Sequence, residues 1–517
     1  MADAASTLLL GIDVGTTNCK VTLYDVSGRA LRSGGREYAM SYPHPGWVEE
    51  DADEWWRAVA DGIRQVLWDP DLAKRIAGVG VGCTNALVAV DADGRALRPA
   101  IMQLDQRTVP QAEELKAILD SKHLSPITGN RVAPGSFSAP LILWLRQHEP
   151  QVFRATHKFL VPSGFIVHRL TGKFSMDHSR ASTTLLFDVR RRKWSPEICR
   201  EAGIPVDKLP DLYEPWQVVG RVSREAALET GLLQGTPVVA GCMDTVGAAV
   251  GSGVLSPGAS FIIMGTVARL VAVLGKPCFD DRFLNCCYAV PGTWLAIAAT
   301  NAAGASLRWF RDKFGQMEVA VGHEAGLDPY DLLTAEAARS VPGARGLIYL
   351  PYLAAERSPI WDPYARGVLF GLTLSHERGD IIRALLEGVA LSIRHNLEIL
   401  EHEMGLSIEL LRIGGAGSRS ALWMQIIADV LGKPLITLRA QETETLGVAI
   451  LAGIGSGLYN SFEQACQQTL AEDRKWFPRN EYRALYRELF SLYTTLYLDL
   501  KPRFEGLARL VEAFQTM

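Results

Sequence analysis

No CxxC pair, no basic block and no uninterrupted apolar run of membrane-spanning length occurs in this chain. The eight cysteines are scattered at 19, 83, 199, 242, 278, 286, 287 and 466, which argues against a structural zinc or a disulfide frame and reads as reduced thiols. Charge of neither sign dominates: 53 Lys and Arg face 57 Asp and Glu for a formal charge of -4, so nothing tracks a nucleic-acid backbone or an anionic membrane. Met1-Ala2-Asp3-Ala4-Ala5-Ser6 carries neither the basic nor the long apolar region of a signal peptide and is read as the lead into a strand. The expectation is a cytoplasmic protein with small-molecule partners, no nucleic acid and no membrane.

With 517 residues, 48% of them hydrophobic, there is more apolar material than one core uses, and two or more domains are expected. The Gly- and Ser-containing segment 251–259 is the best boundary, giving domains 1–255 and 256–517.

Residues 8–25 read as two strands joined by the turn Gly15-Thr16-Thr17. Gly15 lets the backbone approach a ligand, and the turn amides and Thr hydroxyls can donate to phosphate oxygens, with Asp13 near Mg²⁺; the same residues also make an ordinary hairpin. Residues 47–56 lead into a helix with an acidic first turn. Residues 76–83 form a buried strand ending in Thr84-Asn85, two side chains that can bond a polyol or cap a turn. Asp105 beside Arg107 is a structural ion pair or a pair of contacts for a hydroxyl-rich ligand. Residues 128–144 are a turn-rich loop entering a helix, residues 160–172 a helix with a Gly stop, and residues 177–182 a polar link. His168 lacks a second ligand at metal spacing and is given no chemistry.

Asp244 follows the apolar run 237–240 and precedes a small-residue segment that can open a helix. In open α/β proteins ligands gather outside strand ends, and glycines at 241 and 247 allow close approach; an Asp there can also simply cap the helix. Residues 260–273 repeat the plan of residues 8–25, with Gly265-Thr266 at the turn, which suggests two related halves sharing an anion. Beyond it come a small-residue helix start at 301–312 and a Pro-punctuated loop at 351–367. A helix over 380–402 with Asp380 as N-cap, a strand running into Gly414-Gly415 and Ser420 before a helix, and a closing helix over 479–500 complete the pattern.

The set Gly11-Ile12-Asp13-Val14-Gly15-Thr16-Thr17, Gly241 with Asp244, Gly265-Thr266, residues 304–309, Pro351-Tyr352-Leu353 with Glu356-Arg357, and Gly414-Gly415 with Trp423 and Gln425 resembles the FGGY family of carbohydrate kinases over nearly the whole chain and in the same order. That resemblance implies an α/β, actin-like (ribonuclease H-like) ATPase fold with two similar domains flanking a deep cleft. The first domain would hold the sugar and the second the nucleotide. It implies phosphoryl transfer from ATP and Mg²⁺ to a sugar hydroxyl, with Asp244 as base and Asp13 and Asp244 at the metal. Gly15, Thr16, Thr17, Gly265 and Thr266 would hold the phosphates, and Gly304, Arg308, Gly414, Gly415 and Ser420 the adenosine. Thr84, Asn85, Asp105, Asp244 and Thr245 would contact the sugar, and a homodimer is an expectation that accompanies the assignment.

The sugar site departs from the family's known patterns. Glycerol kinases resemble this chain less, carrying Arg-Glu at the place of Thr84-Asn85 and Gln at that of Thr245. Xylulose kinases are more similar but place Met-His and Asn there. A neutral Thr-Asn-Thr set suits hydroxyls and a carbonyl, which ranks a ketopentose such as D-xylulose first, another ketose or polyol second and gluconate third. The alternative class is a nucleotide-gated sugar-binding protein without turnover.

Overall fold

The computed structural model describes residues 7–119, 121–440 and 442–515, so the lead into the first strand at residues 1–6 lies outside the described residues. The chain forms two compact units. The first comprises Met1–Leu255, Val273–Leu295 and Glu442–Ala471; the second comprises Ser256–Ala272, Ala296–Gln441 and Glu472–Met517.

The main strands of the first unit are β1 (Leu8–Val14), β2 (Asn18–Asp25), β3 (Ala30–Glu37), β4 (Ile76–Cys83), β5 (Val218–Arg221) and β6 (Pro237–Val239). Those of the second are β7 (Ser260–Met264), β8 (Ala268–Leu274), β9 (Trp294–Thr300), β10 (Leu411–Gly414), β11 (Leu435–Leu438) and β12 (Glu472–Trp476). In the first sheet the order is β3-β2-β1-β4-β6-β5, and the second contains β9-β8-β7-β10-β11-β12. Directions match as well. β1 pairs antiparallel with β2 and parallel with β4, as β7 does with β8 and β10. β4 runs parallel with β6, which is antiparallel to β5, as β10 does with β11 and β12. The repeated hairpins of the sequence therefore sit in two sheets of one wiring.

Central strands buried on both faces need continuous apolar runs, and β1 has one: Leu8, Leu10, Ile12 and Val14 are fully buried. One face of β1 and β4 is covered by the helix Thr443–Gly455, which is apolar nearly all round and buried through residues 445–453. It reaches the sheet because glycines face it. A Cβ on Gly11 would fall 2.0 Å from the carbonyl oxygen of Thr445, and one on Gly80 2.0 Å from that of Val448.

Several element boundaries differ from the sequence reading. The long helix is Arg378–Glu398, and its N-cap is Glu377; Asp380 sits three residues in and returns a bond to the Glu377 amide, so the two form a capping box. The closing helix starts at Arg483 and runs to Gln515. Asp51 caps the helix Ala52–Val66 as its acidic start suggests. No described helix is long and apolar enough to cross a membrane.

Candidate active site

Asp13 and Asp244 flank the end of one strand. Asp13 lies on β1 opposite Gly82 of β4, and on the other side of β4 Cys242 and Met243 pair with Gly82 and Cys83, which brings the chain to Asp244. Gly82 leaves room for the acid, since a Cβ there would lie 3.2 Å from Asp13 Oδ1. That oxygen is buried without a hydrogen-bond partner. Burial, followed by the charges of Glu444 and Asp244, pushes the Asp13 carboxyl up to about 8, against the pull of Lys20 and Arg180. Asp244 is the first residue of the helix Asp244–Gly251; the N-cap is Met243, so the capping role open to Asp244 in the sequence is not the one it takes. Its Oδ1 accepts from the Thr245 amide at 2.6 Å and hydroxyl at 3.1 Å.

Thr84 and Asn85 continue β4 past Cys83. Thr84 Oγ1 lies 3.1 Å from Thr16 Oγ1 and accepts from Gln103 Nε2 at 3.0 Å, which ties the β1-β2 turn to the β4 end. Asn85 Nδ2 donates to the Ser136 carbonyl at 2.8 Å, and its Oδ1 is buried and unpartnered. Gly15 closes the turn through its amide to the Asn18 carbonyl at 2.9 Å, and Thr17 is exposed. Asp105 is fully buried, with both oxygens bonded to Arg107 and one to the Val48 amide at 2.6 Å. Arg107 in turn stacks 3.7 Å from the Trp47 ring and pairs with Glu49 at 2.7 Å. Asp105 thus occupies the ion-pair alternative of the sequence reading and anchors the loop after Met102.

Two charged residues that sequence reading passed over stand here. Arg180, placed in a mere polar link, is 2% exposed, donates through Nη2 to the Cys83 carbonyl, and has that nitrogen 3.9 Å from Asp244 Oδ1. Burial opposes its charge, yet the Cys83 thiol and the carboxylates of Asp244 and Asp177 outweigh this and raise its pKa. Glu444, at the start of the Thr443–Gly455 helix, is held above the usual carboxylate range by burial and, against a backbone bond, by Asp244. Its signal was invisible because the contact spans some two hundred residues of chain.

In the second unit the turn Gly265-Thr266 joins β7 to β8, and the parallel neighbour β10 ends at Gly414, so Gly414-Gly415 lies at the same sheet edge. Gly415 has φ 89°, and a Cβ on it would meet the Met264 carbonyl at 2.6 Å. The helix Gly304–Phe314 starts against the turn: the amides of Gly304 and Ala305 donate to the carbonyls of Gly265 and Thr266, each at 3.0 Å. A Cβ on Gly304 would lie 2.5 Å from the Gly265 oxygen, so its glycine serves this close approach. Arg308 Nη2 donates to Thr266 Oγ1 at 3.4 Å. Ser420 caps the helix Ala421–Leu431 by accepting from the Trp423 amide. The loop carrying Glu356 is structural: its buried carboxylate accepts from the Thr300 hydroxyl and from the amides of Asn301 and Arg357, each at 2.8 Å.

Among the described residues no group of three or more His, Cys, Asp or Glu is placed to hold an ion alone. An unpartnered buried carboxylate oxygen fits Mg²⁺, which takes one or two protein carboxylates and completes its shell with phosphates and water.

Two sheets of the same order, each with a glycine turn beside the end of a parallel strand, define the actin-like, ribonuclease H-like class of ATPase. The profile of the FGGY family of carbohydrate kinases matches with its N-terminal domain over residues 8–251 and with its C-terminal domain over residues 260–456. The chain belongs to that family. It is 32% identical to the xylulose kinase of Bacillus subtilis over 499 residues, 95% of this chain and 97% of that one, and 29% identical to the gluconokinase of the same organism over 97% of each. The crystal structure of xylulose kinase from Rhodospirillum rubrum superposes with a TM-score of 0.87 at 30% identity, over 96% of this chain and 100% of that one. The protein is an ATP-dependent sugar kinase that uses ATP with Mg²⁺.

Proposed function

We propose that this kinase phosphorylates a hydroxyl of a ketopentose such as D-xylulose, with Asp244 as general base. The carrying observation is the placement of Asp244 and Asp13 on either side of the β4 end that leads into Thr84-Asn85. The attacking hydroxyl becomes acidic as its bond to phosphorus forms, so a carboxylate within hydrogen-bond reach is a sufficient base. Thr245 orients that carboxylate through its amide and hydroxyl. Asn85 offers an acceptor oxygen to a sugar hydroxyl, while Thr84 and Asp105 hold the wall around it. Asp13, with Asp244, would hold Mg²⁺, which when bound neutralises charge on the transferring phosphates. Gly15, Thr16 and Thr17 of the first unit and Gly265 and Thr266 of the second would hold phosphate oxygens, with Gly304, Arg308, Gly414, Gly415 and Ser420 shaping the adenosine site. On this reading the first unit, residues 1–255 with the later segments 273–295 and 442–471, is mainly sugar-binding, and the rest of residues 256–517 is mainly nucleotide-binding.

A neutral Thr84-Asn85-Thr245 set favours a ketose over a sugar acid, and the xylulose kinase likeness supports the same choice. The gluconokinase likeness keeps gluconate as the second reading. The test is kcat/KM over D-xylulose, L-xylulose, D-ribulose, L-ribulose, glycerol, erythritol and gluconate; a clear preference for gluconate or glycerol overturns the ketopentose assignment. We place the enzyme in the cytoplasm on the strength of its free cysteines, and sedimentation of the purified chain tests the homodimer.

A further inference from the structure

The segment Asp177 to Arg180 grips the neighbourhood of Asp244 at three points. Asp177 Oδ1 accepts from the amides of Ser179 at 2.8 Å and Arg180 at 3.2 Å, which fixes the short helix His178–Ala181. Ser179 donates its hydroxyl to the same oxygen and accepts the Met243 amide at 3.0 Å, one residue before Asp244. Arg180 Nη2 bonds the Cys83 carbonyl, one residue before Thr84, and stands 3.9 Å from Asp244 Oδ1. A fully enclosed guanidinium is costly unless its partners repay the lost hydration, and this one touches both the strand end that bears the sugar wall and the carboxylate proposed as base.

We propose that Arg180 is a positioning residue for phosphoryl transfer: it fixes the orientation of the Asp244 carboxylate relative to the Thr84-Asn85 strand end. The inference rests on Asp244 being the base. The rigid planar guanidinium of Arg180, bonded to the backbone at Cys83, leaves Asp244 Oδ1 facing a fixed positive charge, and Thr245 donates to the same oxygen through its amide and hydroxyl. One nitrogen, Nη2, makes both contacts, and the planar guanidinium fixes its place where an ammonium on a flexible stem can shift between the Cys83 carbonyl and Asp244.

The test is a double-mutant cycle on the full-length enzyme with its best sugar, using Arg180→Met, Asp244→Asn and the double variant, with Arg180→Lys as the conservative change. Misplacing a reacting group by about 1 Å costs about 100-fold, so Arg180→Met is expected to lower kcat by about 10- to 100-fold with the KM for ATP unchanged. Arg180→Lys should recover part of that loss. In the Asp244→Asn background Arg180→Met should cost no more than about twofold, since there is no base left to position. Multiplying effects, or a kcat for Arg180→Met within about threefold of wild type, overturn the proposal. If Arg180→Met does not fold, the same cycle with Arg180→Lys decides, and Arg180→Lys turning over at the wild-type rate overturns it. Near wild-type turnover by Asp244→Asn would instead overturn the base assignment, a distinguishable failure.

Discussion

Gly247 and Gly447 meet backbone to backbone: a Cβ on Gly447 would fall 1.8 Å from the Gly247 carbonyl oxygen and 2.9 Å from the Gly251 amide nitrogen. Through this crossing the helix that begins at Asp244 lies directly against the helix Thr443–Gly455, and the crossing brings Glu444 into the field of Asp244.

Gly447→Ala is therefore expected to destabilise the protein by about 1–3 kcal/mol, the usual penalty of overpacking, since only backbone stands in the way. Gly506→Ala is the control: its Cβ meets nothing within 4 Å inside the helix Arg483–Gln515, and alanine there should add about 0.5–1 kcal/mol. Urea denaturation of both variants checks this, and equal midpoints would refute the close crossing.

Asp244→Asn is expected to keep the fold and nucleotide binding while lowering kcat by about 10²–10⁴, the range of general acid–base assistance. Circular dichroism, ADP binding and turnover measured side by side separate loss of chemistry from loss of structure.

For Asp13→Asn the defect should appear in metal dependence. A higher Mg²⁺ concentration is expected at half-maximal rate, because the buried Oδ1 that would face the ion is replaced by an amide. An unchanged Mg²⁺ titration would remove Asp13 from the metal site.

Glu356 gives a pH signature. Burial raises its carboxyl from 4.5 to about 7, against bonds from Thr300, Asn301 and Arg357. The folded state thus holds a proton that the unfolded state releases, so this contribution to stability is complete below about pH 4.5 and is lost as pH rises through about 7. Glu356→Gln should flatten the fall in denaturation midpoint between pH 5 and pH 8. A variant with the wild-type slope would show that another group is responsible.

Local pattern carried much of the fold into view. Turns at Gly15 and Gly265, apolar β1, the acidic start of the helix Ala52–Val66 and the Gly172 stop all depend on neighbours a few residues away. Asp13, Thr84 and Asp244 were legible as strand-end residues for the same reason. What stayed hidden depends on contacts far along the chain. Arg180 looked like part of a polar link because its partners, the Cys83 carbonyl and Asp244, are supplied by a strand end and a helix start far along the chain. Asp105 carried two readings until its bonds to Val48 and Arg107 could be seen. Gly11 and Gly80 interrupt apolar strands without local cause, and only the helix Thr443–Gly455 explains them.

That helix also imposes an order on biosynthesis. The chain passes between the units after residues 255, 272, 295, 441 and 471, so the first unit is completed by a segment made long after its sheet. At about 5–20 residues per second, the ribosome spends on the order of tens of seconds between finishing β4 and releasing the helix that covers it. During that interval the glycine-lined face of β1 and β4 has no cover of its own. A nascent chain stalled before residue 443 should accordingly bind trigger-type holdases through this face, and one stalled well past residue 471 should have lost that affinity.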